Sequence, residues 1–150
     1  MERWSFRIVD VFTQRPLEGN QLAVFEDATD IPESLLQPLA QEIGYSETVF
    51  TYPRTEDADA RIRIFTPTSE VPFAGHPVLG TAVVVATHLG TDHVVLRTGR
   101  GPVPVRVDRK TAPATRGAQA GSRYRSRSPQ TTSAGASSAA RSIVGGGPDR

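Results

Sequence analysis

The sequence contains no cysteine. That absence excludes a disulfide framework, a thiolate metal site, and any mechanism built on a cysteine nucleophile or a pair of thiols acting as acid and base. Nor does any stretch approach the roughly 18 apolar residues of a membrane-spanning helix. At the N-terminus Arg3, Arg7 and Asp10 interrupt any apolar core of a secretory signal, so the expected location is cytoplasmic, with no membrane partner. A third shortage is local. Residues 109–150 hold one acidic side chain against eight basic ones, with Ile143 and Val144 as their large aliphatics and Tyr124 as their one aromatic. Such a segment cannot bury enough apolar surface to offset its ordering entropy, and it is expected to be a disordered basic tail rich in Ser, Arg, Ala and Gly.

Residues 1–108 are different in kind, with 15 acidic and 9 basic side chains and clear hydrophobic periodicity. Phe6–Phe12 alternates as a strand with Phe6, Ile8 and Val9 toward a core, and Gln21–Phe25 is a second strand after a turn marked by Pro16 and Gly19. A helix is expected over Asp30–Ile43, with Asp30 as its cap, Glu33 at capping-box spacing, and a kink or an irregular turn at Pro38. Glu47–Tyr52, Arg61–Thr66, His93–Leu96 and Val103–Val107 complete six strands, with Ile62 and Ile64 sharing one face.

The stretch from Phe65 to Leu89 organises the rest. After a tight loop, Pro77 suits a first helical turn and Gly90 the position that closes a helix. Between them Val78, Leu79, Ala82, Val83, Val84, Val85, Ala86 and Leu89 leave no polar face. This helix is expected to be buried on every side, inside a curled sheet or barrel. The fold class is α+β.

Three clusters could carry chemistry. Glu47, after Tyr45-Ser46 at a strand start, could exchange protons with a substrate carbon or be a solvated loop carboxylate, and spacing alone favours the latter. His76, after Gly75 at a helix start beside unsatisfied N–H groups, could shuttle protons or serve as a structural N-cap, and the residues do not choose. Asn20, after Gly19, could hold a carboxylate or occupy a left-handed turn, and the turn is favoured. His88 and His93 lack ligand spacing with a third partner, so no metal is expected. Gly99-Arg100-Gly101 has no Lys-Ser/Thr or following helix to make it a phosphate loop. Arg123-Tyr124-Arg125-Ser126-Arg127 could bind RNA, but one aromatic and a short arginine cluster favour a charged segment with no nucleic-acid partner.

Taken together, Val9-Asp10-Val11-Phe12-Thr13, Gly19-Asn20-Gln21-Leu22-Ala23-Val24, Ser46-Glu47-Thr48-Val49-Phe50, Arg63-Ile64-Phe65-Thr66-Pro67 and Glu70-Val71-Pro72-Phe73-Ala74-Gly75-His76-Pro77-Val78-Leu79-Gly80-Thr81-Ala82 resemble the PhzF-like isomerases named for phenazine biosynthesis. The resemblance covers about residues 5–108. It implies a diaminopimelate epimerase-like lobe, one of two that each curl a sheet around a central helix with the site between them. It implies no cofactor and no metal, a small acidic metabolite as substrate, and homo-oligomers. Glu47 would be the general acid/base, with Gly75 and His76 lining the site and Asn20 and Ser46 near it. Epimerases and racemases of that fold that use a cysteine pair do not fit a chain without cysteine.

Gln21 stands where the family usually has proline. The family's second lobe has no counterpart in 109–150, and the loss of periodicity coincides with the charge reversal. The expectation is therefore an N-terminal lobe, 1–108, followed by a tail in which a frameshift near residue 109 has replaced the second lobe. The function expected is cofactor-independent proton transfer by a truncated isomerase. The alternatives are a non-catalytic or self-associating half-protein, or an adaptor with a nucleic-acid-binding tail.

Overall fold

A computed structural model describes residues 4–13 and 17–107 and the backbone of 125–127. In chain order the elements are β1 (Trp4–Val11), β2 (Asn20–Phe25), α1 (Glu33–Ile43), β3 (Glu47–Tyr52), β4 (Ala60–Phe65), β5 (Glu70–Val71), α2 (Gly75–Leu89), β6 (His93–Thr98), β7 (Gly101–Arg106) and β8 (Arg125–Arg127). The strands form one mixed sheet in the order β7-β6-β4-β3-β2-β1-β8, with β5 pairing with β4. Pairing is parallel between β2 and β3 and between β4 and β6, and antiparallel elsewhere.

Each parallel pair is joined by a helix, and the topology dictates where the helices go. The steps from β2 to β3 and from β4 to β6 move the same way across the sheet, but β4 runs opposite to β2. Right-handed crossovers from oppositely directed strands place their helices on opposite faces. The two cores follow. Trp4, Phe6, Ile8, Phe25, Phe50 and Phe65 pack under α1 with Leu36 and Leu39. Val9, Val11, Leu22, Val24, Val49, Ile62, Ile64, Val94 and Leu96 pack under α2 with Val78, Ala82 and Ala86. Alternation along β1 sends Phe6 and Ile8 one way and Val9 and Val11 the other, so the core expected for Phe6, Ile8 and Val9 is in fact two cores.

Several expectations change. The sheet is not closed into a barrel, and α2 lies on one of its faces. Leu79 and Leu89 are exposed, so this apolar helix is not buried all round. Helix α1 begins at Glu33, with Pro32 at the N-cap position and no side-chain cap bond. Asp30 therefore does not cap it. The Glu33 carboxylate is drawn away by Arg63, whose Nη1 donates to it at 2.6 Å. The helix continues through Pro38, and Gly44 and Gly90 close α1 and α2 in left-handed conformation. β5 was not expected. The reading of 109–150 as a disordered tail lies outside the described residues, except that the Arg125–Arg127 backbone pairs with Trp4–Phe6.

Candidate functional site

Three strand ends meet at one end of the sheet. β1 finishes at Val11, and the parallel strands β2 and β3 start at Asn20 and Glu47. The first turn of α2 rests over them because the helix comes in close. Gly80, one turn beyond His76, lies where a Cβ would stand 2.6 Å from the Leu22 side chain and 2.8 Å from that of Val11. A larger residue there would lift the helix off the sheet.

With Gly80 in place, the His76 ring reaches both strands. Its Nδ1 is 3.0 Å from Glu47 Oε2 and its Nε2 is 3.2 Å from the Asn20 backbone oxygen. The Ser46 hydroxyl donates to the same Glu47 oxygen at 2.6 Å. A carbonyl only accepts, so the Nε2 facing Asn20 carries a proton. Nδ1 and Oε2 then share one further proton. Either an imidazolium faces a carboxylate, or a neutral imidazole accepts from a carboxylic acid. Transfer between the two states needs no heavy-atom movement. The side chains are 10% exposed for His76 and 20% for Glu47, so the pair is sheltered yet reachable from solvent.

The bland readings of these residues, favoured for Glu47 and Asn20 and left open for His76, do not hold. Glu47 is the first residue of β3 and doubly bonded, not a solvated loop carboxylate. The N-cap of α2 is Ala74, with no side-chain cap bond, so His76 is not a structural cap. Asn20 begins β2 opposite Val11, and the non-glycine residues with left-handed φ are Phe12 and Leu17 among those described. Packing explains the shift of the turn, since Gly19 is pressed so close to β1 that a Cβ would lie 2.4 Å from the Val11 carbonyl oxygen. Asn20 contributes its backbone to the pair. Gly75 opens α2 beside it, with free space where a Cβ would go. The backbone N–H groups of Gly75 and His76 belong to the turn that a helix cannot satisfy internally, which favours an anion there.

Sequence reasoning missed Phe12. It was placed at the end of a strand, yet at φ 64° it leaves the ladder, and its ring centroid lies 5.9 Å from that of His76. The signal available was a large aromatic at the last position of an apolar strand, beyond which no core position remained. Phe12, Leu17, Phe73 and Leu79 are all exposed large apolar side chains on the loops and helix turns of this end.

Two cavities open elsewhere. One, of about 180 Å³, lies at the other end of α2, lined by Glu26, Thr51, Tyr52, Asp59, His88 and Leu89 among others. The second, of about 420 Å³, lies between β4, β5 and β6 beside Arg61, Arg63 and Arg97. Neither is lined by Glu47 or His76. Near the first, the Arg7 Nε is 2.7 Å from Glu26 Oε1, and burial pushes the Glu26 carboxyl up to about 7 against the pull of Arg7. Gly99-Arg100-Gly101 is the β6–β7 hairpin turn. Among the described residues no group of three or more His, Asp or Glu could hold a metal ion, and no helix is long and apolar enough to cross a membrane.

Comparison with known proteins gives one answer. A family model described as phenazine biosynthesis-like protein matches residues 9–145, extending past residue 108, about where the resemblance read from the sequence ends. Trans-2,3-dihydro-3-hydroxyanthranilate isomerase of Pseudomonas aeruginosa is 44% identical over 103 residues, 69% of this chain and 37% of the relative. The protein of the same name from Pseudomonas fluorescens is 42% identical over 106 residues, 71% and 38%. Among solved structures, a phenazine biosynthesis protein of the PhzF family from Bacillus anthracis is 30% identical with a TM-score of 0.63, covering 71% of this chain and 36% of that one. A PhzF-family protein from Enterococcus faecalis is 29% identical with a TM-score of 0.65, covering 71% and 41%. The chain thus spans under two-fifths of the length of the curated relatives named here.

Proposed function

The chain belongs to the phenazine biosynthesis-like (PhzF) family of isomerases, and from that premise we propose that Glu47 and His76 form the proton-transfer pair of an isomerase acting on a small acidic metabolite. The observation that carries the reading is the 3.0 Å contact between Glu47 Oε2 and His76 Nδ1. An isomerisation neither gains nor loses atoms, so a proton taken from one carbon must be redelivered to another. Glu47 takes the proton and, neutral while it holds it, returns it; His76 offsets the charge of the Glu47 carboxylate before and after, and the Asn20 carbonyl holds the imidazole in one orientation. Ser46 donates to Glu47 and steadies its carboxylate. The N–H groups of Gly75 and His76 are placed to receive the substrate's acidic group, with the Asn20 side chain near it.

The fold assigned with this reading is a diaminopimelate epimerase-like lobe with α2 as its central helix. The site needs no cofactor or metal, and the location is the cytoplasm. The test is deuterium incorporation from D2O into trans-2,3-dihydro-3-hydroxyanthranilate, the substrate named for the relatives above. Incorporation by the wild type and its loss in Glu47→Gln is the expected result. Equal incorporation by both variants removes Glu47 from the mechanism.

A second reading rests on the exposed Phe12, Leu17, Phe73 and Leu79 around the pair. General acid–base catalysis depends on geometry and on excluding water, and these side chains leave an apolar rim that another wall would cover. In this reading the chain is a non-catalytic half that associates with itself through that rim. Sedimentation of the wild type against Phe73→Ser/Leu79→Ser separates the two: loss of a dimer in the double variant favours association.

A further inference from the structure

Asp10 is an anomaly in β1. The strand is otherwise apolar where it is buried, apart from Arg7, and yet a fully buried carboxylate sits opposite Gln21 of β2. Its Oδ2 accepts the Leu17 backbone N–H at 3.0 Å, and its Oδ1 has no hydrogen-bond partner among the described residues. An apolar side chain of similar volume would give β1 a more stable core, because a buried carboxylate with one oxygen unserved costs free energy. Stability alone does not call for Asp10.

The bond to Leu17 ties β1 to the residues that lead into β2, and Phe12 and Leu17 both hold left-handed φ, 64° and 72°. Non-glycine residues stay in that region only where their surroundings hold them there. The groups that touch His76 from this side are close in the chain to these residues: the Phe12 ring itself and, three residues after Leu17, the Asn20 carbonyl. Asp10 also acts on a residue that leads into β3. Tyr45, two residues before Glu47, is pushed up to about 12 by burial, with the Asp10 charge adding to the effect. Burial raises the Asp10 carboxyl as well, and the Leu17 N–H works against that rise.

We propose that Asp10 is a positioning residue for the Glu47–His76 pair: by tying Leu17 to the end of β1 it holds the Phe12 ring and the Asn20 carbonyl against His76, and the carbonyl keeps the proton on Nε2. The proposal rests on the acid–base reading of that pair and adds a residue that touches neither partner by hydrogen bond.

Nitrogen-15 NMR of the His76 imidazole tests it without turnover. The isosteric Asp10→Leu should fold, retain its sheet and gain or hold thermal stability. Solvent exchange of the Nε2 proton should nevertheless accelerate about tenfold, the equivalent of one ordinary hydrogen bond, and the Phe12 ring-current shift on the imidazole protons should vanish. Asp10→Asn retains an acceptor for Leu17 and should restore both signals. Wild-type imidazole signals in a folded Asp10→Leu overturn the proposal. If Asp10→Leu does not fold, Leu17→Pro breaks the same bond from its exposed donor side. It should show the same loss, and unchanged signals there overturn the proposal equally. Deuterium exchange is read separately, so Asp10 can fail while Glu47 still exchanges, and Glu47 can fail while Asp10 still orients His76.

Discussion

The sheet face under α2 carries two acid–base pairs, Arg7–Glu26 toward one end of the helix and His76–Glu47 at the other. Their distances are similar, 2.7 Å and 3.0 Å. Their chemistry is not. A guanidinium stays protonated throughout the physiological range, so Arg7 can neutralise Glu26 but cannot hand over its proton. An imidazole nitrogen can either donate or accept a proton, so the same spacing at His76 allows one to pass between the partners. The Arg7–Glu26 side chains are 8% and 15% exposed, close to the 10% and 20% of the other pair, but that other pair sits at a rim where three strand ends and a helix start leave an approach open. A close ion pair therefore identifies a site only through what its cation can release and what can reach it.

The largest effect expected is at the rim. Removing the titratable group with Glu47→Gln should lower deuterium exchange about 10²–10⁴-fold, the usual contribution of a general acid/base, while the melting temperature moves little. A large loss of stability with exchange intact would erase the contrast. At the buried pair the outcome should reverse. Arg7→Met leaves a buried carboxylate without its cation and should cost about 3–5 kcal/mol by denaturant titration at pH 8, the range for breaking a buried pair from one side.

A pH series sharpens the same point. The folded-state value of Glu26 lies near 7, above its ordinary 4.5, so the native protein holds a proton there that the unfolded chain releases. This group's stabilisation is complete below the unfolded value and is lost as pH rises through the window between the two. Wild-type stability should therefore fall from pH 5 to pH 7.5 relative to Glu26→Gln, and a parallel pair of curves would refute the assignment. Gly80→Ala should separate helix from sheet at little cost in helix propensity. Expected are a loss of about 1–3 kcal/mol from overpacking and a weakened His76–Glu47 contact, visible in the imidazole NMR signals. The smallest effect is Ser46→Ala. Removing one hydrogen bond to Glu47 should change exchange by about tenfold or less.

How legible was this in the sequence? β3 was readable to the residue, and β4 nearly so, because Ile62 and Ile64 alternate with Arg61 and Arg63 and one face is buried. The helix ends marked by Gly44 and Gly90 follow from the left-handed conformation that glycine allows. The start of α1 was not readable, because Glu33 has a competing partner in Arg63, thirty residues away. Closure of the sheet was inferred from the composition of α2 alone, and composition cannot separate a helix wrapped by strands from one whose Leu79 and Leu89 remain exposed. At the candidate site the residue types were visible in the Ser-Glu-Thr and Gly-His-Pro motifs. Their meeting was not, since it depends on Gly80 letting the helix close on Leu22 and Val11. Phe12 and Asp10 were hidden for a similar reason: a left-handed φ at a phenylalanine is imposed by tertiary contacts that no local pattern announces.

The outer strand β7 carries Pro102 opposite Arg97 and Pro104 opposite Val95. A proline cannot donate across to β6, so these are the non-hydrogen-bonded pairs of the ladder and their nitrogens face away from the sheet. A newcomer strand arriving there would find carbonyls at both positions and no donor at either. Growth of the sheet by repeated addition of copies requires two receptive borders, and this one is shut. Any strand-to-strand association through the opposite border would then end at two molecules, a closed pair instead of a lengthening fibre.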